Sequence, residues 1–129
     1  MKYMLLIHQL DSPRPGREGD SNHQATAAFE KLSDDEKNAV YQAYGAINQT
    51  PGVTPGQQLA PPEKATTVRV QDGQTLTTDG PFAETREALG GYLFFEADSF
   101  KAAVELASRI PAARMGGAVE VRPVIEQQW

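Results

Sequence analysis

Apolar residues are concentrated in a few short segments of this chain, and their spacing differs from one segment to the next. Residues 2–8 form an almost continuous apolar run, which is typical of a strand buried on both faces. Residues 33–48 instead carry apolar side chains at helical spacing, at Val40, Tyr44 and Ile47. Ser33 and Glu36 form the Ser-x-x-Glu pattern of a capping box, so a helix is predicted to begin there.

The second half of the chain alternates between strand and helix patterns. Residues 65–71 and 74–78 are rich in β-branched side chains and flank Asp72-Gly73, a two-residue turn signal, so they predict a hairpin. The later apolar segments predict a strand at 90–96, a helix capped by Asp98 and ended by Pro111, and a strand at 118–125. The glycine pair at the start of the first of these strands indicates a bulge or a close approach of the main chain.

Two stretches rich in proline and glycine, residues 11–20 and 50–62, predict irregular structure. Residues 21–31 between them have alanines and Phe29 at helical spacing and predict a short helix. The main order is therefore strand, helix, hairpin, strand, helix, strand. With one hairpin arm set aside this is βαββαβ, an α+β fold of the ferredoxin-like or split βαβ kind, with both helices on one face of an antiparallel sheet.

The sheet face without helices is also expected to be covered. Both alternating sets of side chains in residues 2–8 are apolar, and so are both sets in Tyr92-Leu93-Phe94-Phe95. In the last strand Val119, Val121 and Ile125 are expected on one face, with Glu120 and Arg122 on the other. A sheet face that meets only water is normally polar, so the simplest covering is the same face of an identical subunit. The sequence therefore predicts a homodimer.

Length and composition narrow the class of protein. The 129 residues and 14.0 kDa fit a single domain spanning residues 1–129. A net charge of −5 with no lysine or arginine cluster argues against nucleic acid and against a charged membrane surface as partners. No segment approaches the roughly 20 apolar residues that span a bilayer, and there is no cysteine, so a cytoplasmic location is expected.

Three segments together resemble one known family. They are MKYMLLIH, ATTVRVQDGQTLTTDGPFAETREALGGY and IPAARMGGAVEVRPV, and they resemble the YCII-related proteins, in particular their DGPF branch. The resemblance implies a ferredoxin-like subunit in a dimeric α+β barrel, a superfamily that includes muconolactone isomerases and cofactor-independent monooxygenases. In the wider family a histidine and an aspartate have been suggested to be catalytic. Some relatives are encoded near sigma factors, which suggests a regulatory role.

Asp79 and His8 are the candidate acid–base residues. Asp79 opens the Asp-Gly-Pro-Phe motif, where its carboxylate could act as a general base beside a cleft. Aspartate before Gly-Pro also forms turns by accepting main-chain N–H bonds, and this structural interpretation is favoured. His8 ends the first strand and could be the proton-transfer partner, or it could simply make one main-chain hydrogen bond.

The candidate ligand-binding residues are aromatic or charged, and they are Arg86, Tyr92, Phe94, Glu120 and Arg122. Arg86 could bind a ligand carboxylate or pair with its acidic neighbours. Glu120 and Arg122 could line a cavity, pair with each other or pair across the dimer. Two histidines without cysteine give no recognised metal-ligand spacing, and no phosphate-binding glycine motif is present, so neither a metal nor a cofactor is expected.

Two functions fit this pattern. The first is a cofactor-independent enzyme that transfers a proton on a small apolar or aromatic metabolite. The second is a non-catalytic ligand-binding or regulatory module in a sigma-factor pathway. Both need a pocket, and only the first needs an activated base.

Overall fold

A computed structural model describes residues 1–10, 32–80 and 87–126. The helix predicted at 21–31 and the loop predicted at 11–20 lie outside these ranges. Within them the helices and strands, in chain order, are β1 Lys2–Leu10, α1 Asp34–Asn48, β2 Val53–Gln58, β3 Thr66–Gln71, β4 Gln74–Asp79, β5 Glu87–Glu96, α2 Phe100–Ser108 and β6 Ala118–Pro123. Short 3-10 turns follow β2, at Pro62–Lys64, and α2, at Pro111–Arg114.

Four strands form the main antiparallel sheet, in the order β2-β5-β1-β6. This is the strand order of a split βαβ unit, with the first and third sheet strands at the centre. Side chains from both helices join those of the central strands in one core: Tyr3, Leu5, Ile7, Ile47, Leu93, Phe95, Ala103, Leu106 and Ala107. Both helices therefore pack on the same sheet face, and the predicted ferredoxin-like α+β fold is confirmed.

The second strand of the sheet was predicted in the wrong place. The stretch at 50–62 was predicted to be irregular, yet it contains β2, which pairs with β5 from Val53 opposite Phe95 to Pro55 opposite Leu93. The pairing becomes irregular between Pro55 and Gln58. Proline is tolerated in β2 because it is an edge strand, whose outer N–H groups need no partner strand.

The predicted hairpin exists, but neither arm belongs to the main sheet. β3 and β4 pair only with each other within the described residues, around the Asp72-Gly73 turn in which both residues have positive φ. Nearly every hairpin side chain is exposed, including Val68 and Val70. The arm that the sequence assigned to the βαββαβ unit is therefore replaced in the sheet by β2.

Helix ends follow the local sequence rules closely. The Ser33 hydroxyl accepts the Glu36 N–H, and the Glu36 carboxylate accepts the Ser33 N–H, so the predicted capping box is confirmed. A cap of this kind stabilises a helix by about 1 kcal/mol. At α2 the cap is Ser99, whose hydroxyl accepts the Ala102 N–H, and not Asp98 as predicted. Serine one residue later gives the hydroxyl the reach to the third helical residue.

The glycine pair in β5 confirms the predicted bulge. β5 faces β1 in regular register up to Gly91 opposite Ile7, after which Leu89 faces His8 and Gly90 is left over. The strand also begins at Glu87, earlier than the predicted residue 90. A bulge bends its strand and increases the local twist, so the sheet changes direction at this point.

The two faces of the sheet differ in burial. On the helix-covered face Tyr3, Leu5 and Ile7 are buried, and Val119 and Val121 pack against the core. The helix-free face, called the open face below, includes the half-buried Met4, Leu6, His8, Tyr92, Phe94 and Glu120, with the exposed Arg122 beside them. Ile125 lies beyond the end of β6 and is 79% exposed, so its predicted place with Val119 was wrong.

Neither of the helices in the described ranges is long and apolar enough to cross a membrane.

Candidate functional site

A cavity of about 530 Å³ lies between α1, the helix-covered face of the sheet and the 3-10 turn at Pro111–Arg114. It is called the Tyr44 cavity below. Its lining comprises Ile7, Gln9, Val40, Tyr41, Tyr44, Asn48, Gly56, Gln57, Gln58, Gly90, Gly91, Tyr92, Leu93, Pro111, Ala112, Met115 and Gly117. Aromatic rings, aliphatic side chains and neutral amides thus surround one space.

Glycines form part of the wall where the strands come closest together. A Cβ atom on Gly56 would lie 2.1 Å from the Tyr92 carbonyl oxygen, and one on Gly117 would lie 2.3 Å from the His8 carbonyl oxygen. No side chain fits at either position without a shift of the main chain. The close approach places β2 and the segment before β6 tightly against their neighbours and defines the edges of the cavity.

Tyr44 supplies a phenol at the cavity wall. Burial raises the pKa of the Tyr44 phenol, while hydrogen bonds with the Ala112 main chain and the Gln9 side chain lower it by less. Both of these partners also line the cavity. The Tyr44 oxygen therefore lies between two cavity residues, and the phenol is neutral at physiological pH.

The raised pKa of Tyr44 predicts how the free energy of unfolding changes at alkaline pH. The unfolded phenol ionises at about pH 10. Because the folded pKa is higher, the contribution of Tyr44 to stability is complete below about pH 10 and is lost as the pH rises through the folded pKa. We expect the difference in near-ultraviolet absorbance between wild type and Tyr44→Phe to report the ionisation of Tyr44. The midpoint of this ionisation should lie at a higher pH than that of N-acetyl-tyrosinamide in the same buffer. A transition at or below that of the free compound would contradict the burial of the phenol.

A second cluster lies on the open face. His8 Nε2 is 3.3 Å from Glu120 Oε1, and Arg122 Nε donates to Glu120 Oε2. The hydrogen bond and charge of Arg122 lower the pKa of the Glu120 carboxyl, and His8 acts in the same direction. Glu120 and Arg122 thus pair with each other, one of the arrangements considered from the sequence. The Glu120 carboxylate also accepts the hydrogen bond with His8, so Nε2 is the ring nitrogen of His8 that donates.

Asp79 lies apart from that cluster. It is the last residue of β4, is exposed and faces Thr66 in the hairpin sheet. Within the described ranges no hydrogen bond or ion pair joins it to His8. The bonds that hold this turn involve Gly80, at φ +98°, whose N–H donates to the Ala65 carbonyl and whose own carbonyl accepts from the Thr67 hydroxyl, both at 2.7 Å. A catalytic role for Asp79 stays a prediction.

Of the other candidates, Tyr92 and Phe94 both lie on the open face. Tyr92 lines the Tyr44 cavity, and its ring meets that of Phe94 edge-on, with centroids 6.1 Å apart. Phe94 itself lies on the open face, with Lys2 Nζ 4.8 Å from its ring centroid. Arg86 lies outside the described residues.

Sequence reasoning missed three polar groups at the cavity: the Tyr44 hydroxyl, the Gln9 side chain and the Ala112 main chain. Tyr44 was predicted only as part of the apolar stripe of α1. The one available signal was the hydroxyl itself, because a tyrosine on a buried helix face needs a hydrogen-bond partner.

Among residues 1–10, 32–80 and 87–126 no group of three His, Asp or Glu side chains is arranged to hold a metal ion. His8 and Glu120 offer two potential ligands, and the positive charge of Arg122 beside them disfavours a cation.

Comparison with known proteins places the chain in a family. The model of the YCII-related domain matches residues 1–128. The chain belongs to the YCII-related family. An uncharacterised protein of Rhizobium meliloti (strain 1021) is 31% identical to this YCII-related protein over an alignment of 109 residues, and the match covers 81% of this chain and 86% of that protein.

One solved structure resembles this YCII-related protein at the level of overall arrangement. It is the 5-chloro-2-hydroxyhydroquinone dehydrochlorinase TftG of Burkholderia phenoliruptrix AC1100, in complex with 2,5-dihydroxybenzoquinone. The match covers 98% of this chain and 96% of TftG, with 15% identity and a TM-score of 0.45. At this identity and TM-score, the activity of TftG is not assigned to this chain.

Proposed function

We propose that this YCII-related protein binds a small, uncharged aromatic or apolar metabolite in the Tyr44 cavity and acts on it by proton transfer without a cofactor. The observation that carries the proposal is the cavity itself. Its volume of about 530 Å³ lies within the range of about 300–1,000 Å³ that is usual for small-molecule sites. Its lining is mainly apolar and aromatic with a few convergent polar groups, as such sites require.

The preference for an uncharged ligand follows from the charges at the wall. Within the described residues no carboxylate, imidazole, ammonium or guanidinium group lines the cavity. A charged ligand would lose its hydration there without gaining an ionic partner, which is costly. Neutral amides of Gln57, Gln58 and Asn48 can instead bind neutral polar groups.

Support for proton transfer comes from Tyr44. A neutral phenol can act as a general acid, provided that the phenolate left behind is stabilised. The hydrogen bonds that lower the Tyr44 pKa stabilise that phenolate, although burial opposes them. Because burial outweighs these bonds, Tyr44 keeps its proton, and in this proposal it donates a hydrogen bond that stabilises negative charge developing on a ligand oxygen.

The lining also favours a second candidate, a binding module without catalysis. An enzyme that removes a carbon-bound proton needs a base, and the described lining has neither a carboxylate nor an imidazole. The two candidates share the cavity and differ in turnover. Loss of deuterium from methyl-deuterated acetophenone in ordinary water, faster with wild type than with Tyr44→Phe, would favour the enzyme. Equal rates would favour the module.

Val40→Phe tests the cavity as the binding site. Val40 is half-buried at the wall, so a phenyl ring would extend into the space that a ligand needs. We expect at least tenfold weaker binding of acetophenone, about 1.4 kcal/mol, measured by ligand-observed NMR titration. Val104→Phe adds the same group on α2 at a position that is 44% exposed and does not line the cavity, so its affinity should equal that of wild type. Equal affinity of Val40→Phe and wild type would place the ligand elsewhere.

A further inference from the structure

The cluster of His8, Glu120 and Arg122 on the open face is a second place where side chains capable of chemistry meet. We infer that this cluster is a proton-transfer site, separate from the Tyr44 cavity, in which His8 accepts the proton of a small phenol. Glu120 acts through His8 as a positioning residue, and Arg122 holds Glu120 in place. The site goes beyond the proposed function and does not depend on it.

His8 lies on the opposite face of the sheet from the Tyr44 cavity. Its chain neighbour Ile7 belongs to the core on the helix-covered face, and successive side chains of a strand point to opposite faces. His8 also lies where β1 passes the β5 bulge. A bulge re-aims the side chains near it and is common beside active sites. The imidazole is therefore presented to the open face and not to the cavity.

The hydrogen bonds of the cluster leave one ring nitrogen of His8 as an acceptor. Nε2 lies 3.3 Å from Glu120 Oε1, and an ionised carboxylate can only accept, so Nε2 is the donor. In the neutral ring Nδ1 then has a lone pair, and within the described residues no hydrogen bond to it is found. A base that is oriented by a third group in this way is a general pattern of acid–base sites.

Arg122 fixes the Glu120 carboxylate through the oxygen that His8 does not use. Its Nε donates to Glu120 Oε2, while Oε1 accepts from His8. Each carboxylate oxygen thus has its own partner, which restrains the rotation of the carboxylate and, through it, of the imidazole. The imidazolium that forms when Nδ1 takes a proton lies against this carboxylate, which stabilises the new positive charge.

The cluster is open to a ligand. The side chains of His8 and Glu120 are 27% and 38% exposed, so they are neither sealed in the core nor fully solvated. In the described part of the main sheet β6 is an edge strand, which places Glu120 and Arg122 at the border of the open face. Leu6 faces Glu120 on β6 and Tyr92 on β5, so an apolar surface suited to an aromatic ring begins directly beside the charged groups.

A phenol fits this arrangement better than other hydroxyl compounds. A carboxylic acid is already ionised near neutral pH and has no proton to give, whereas a phenol, with a pKa of about 10 in tyrosine, still holds its proton. In the transfer the phenol O–H bond breaks, the electron pair stays on the oxygen, and the proton forms a bond with His8 Nδ1. The total charge is unchanged, so no further reactant is needed.

4-Nitrophenol and 4-nitroanisole form a matched pair of probes, because only the first has a hydroxyl and its phenolate absorbs visible light. At a pH just below the pKa of free 4-nitrophenol, titration with wild type should increase the phenolate absorbance. Wild type should also bind 4-nitrophenol about tenfold more tightly than 4-nitroanisole, as expected for a hydrogen bond that becomes charged. His8→Asn should lose both effects. Val104→Asn places the same amide at an exposed position of α2 and should keep both.

Glu120→Gln tests the positioning role. A glutamine oxygen can still accept from His8 Nε2, but it has no charge to stabilise an imidazolium. With 4-nitrophenol bound, nitrogen NMR should show His8 as an imidazolium in wild type and as a neutral ring in folded Glu120→Gln. An imidazolium in both proteins would mean that Glu120 has only a structural role and would overturn that part of the inference.

The ring of His8 without ligand keeps the test independent of any variant. At mildly alkaline pH, where imidazoles are neutral, nitrogen NMR of wild type should place the proton on Nε2. A neutral ring with its proton on Nδ1 overturns the inference even if His8→Asn does not fold. Failure of wild type to bind 4-nitrophenol, or binding without a change in absorbance, overturns it as well.

The outcomes also separate this inference from the proposed function. If Val40→Phe abolishes the binding of 4-nitrophenol and His8→Asn does not, the phenol occupies the Tyr44 cavity. That result overturns the inference and supports the proposed function. If acetophenone does not bind in the cavity while 4-nitrophenol ionises at His8, the proposed function fails and the inference stands.

Discussion

Leu5→Ala is expected to lower the free energy of unfolding by about 3 kcal/mol, because it leaves a hole at the centre of the core. Leu5 is 0% exposed and faces Leu93 on one neighbouring strand and Val121 on the other. Both flanking strands are fixed by their own hydrogen bonds, so the surrounding side chains can collapse only partly into the space. Urea unfolding followed by circular dichroism measures the loss as a lower midpoint at unchanged slope.

Leu6→Ala is the matched control on the same strand. Leu6 is half-buried on the open face, so its truncation removes less contact and leaves no enclosed hole. We expect a loss of roughly 1 kcal/mol at low protein concentration. Equal losses for the two variants would mean that β1 is buried alike on both faces in the single subunit, against the arrangement described above.

The elements that the sequence predicted well are those whose signals are local. The capping box at Ser33 and Glu36 fixes the start of α1 through bonds within four residues. The turn at Asp72-Gly73 needs positive φ at both residues, which this dipeptide readily adopts. Alternation also placed Glu120 and Arg122 on the same side of the last strand, where the structure pairs them.

β2 could not be predicted because its stability comes from its neighbour. The segment contains Pro55 and Gly56, which normally indicate a loop, and it lacks the alternation of a half-buried strand. Its pairing with β5 provides the hydrogen bonds and the contact that the local sequence does not favour. Tertiary context decided the conformation here, and the more regular hairpin was assigned to the sheet in its place.

Sequence patterns could not predict the Tyr44 cavity either. A cavity is the space left where α1, the β5 bulge and the Pro111–Arg114 turn do not fill the volume between them. Such a gap depends on the relative placement of segments that are distant in the chain. Apolar spacing assigned Tyr44 correctly to the inner face of α1, and only the three-dimensional contacts show its hydroxyl beside Gln9 and Ala112.

The final prediction concerns the open face and the oligomeric state. The central strands present Met4 and Leu6 of β1 beside Tyr92 and Phe94 of β5, and all four side chains are half-buried in the single subunit. An apolar stripe across the middle of a sheet favours association with a second copy, since the same surface can meet itself across a two-fold axis. We expect light scattering at micromolar concentration to give twice the subunit mass of 14.0 kDa. A strictly monomeric wild type would reject this prediction.

Leu6→Glu is the variant that should abolish such a dimer. Leu6 faces Tyr92 on one side and Glu120 on the other, so the new carboxylate would lie beside an existing one and inside the apolar stripe. Burying it against a partner would cost several kcal/mol without a pairing charge, so the measured mass should fall to that of one subunit. Val104→Glu places the same charge on an exposed position of α2 and should leave the dimer intact. If Leu6→Glu remains dimeric while Val104→Glu dissociates, the subunits meet through their helices and the open face faces solvent.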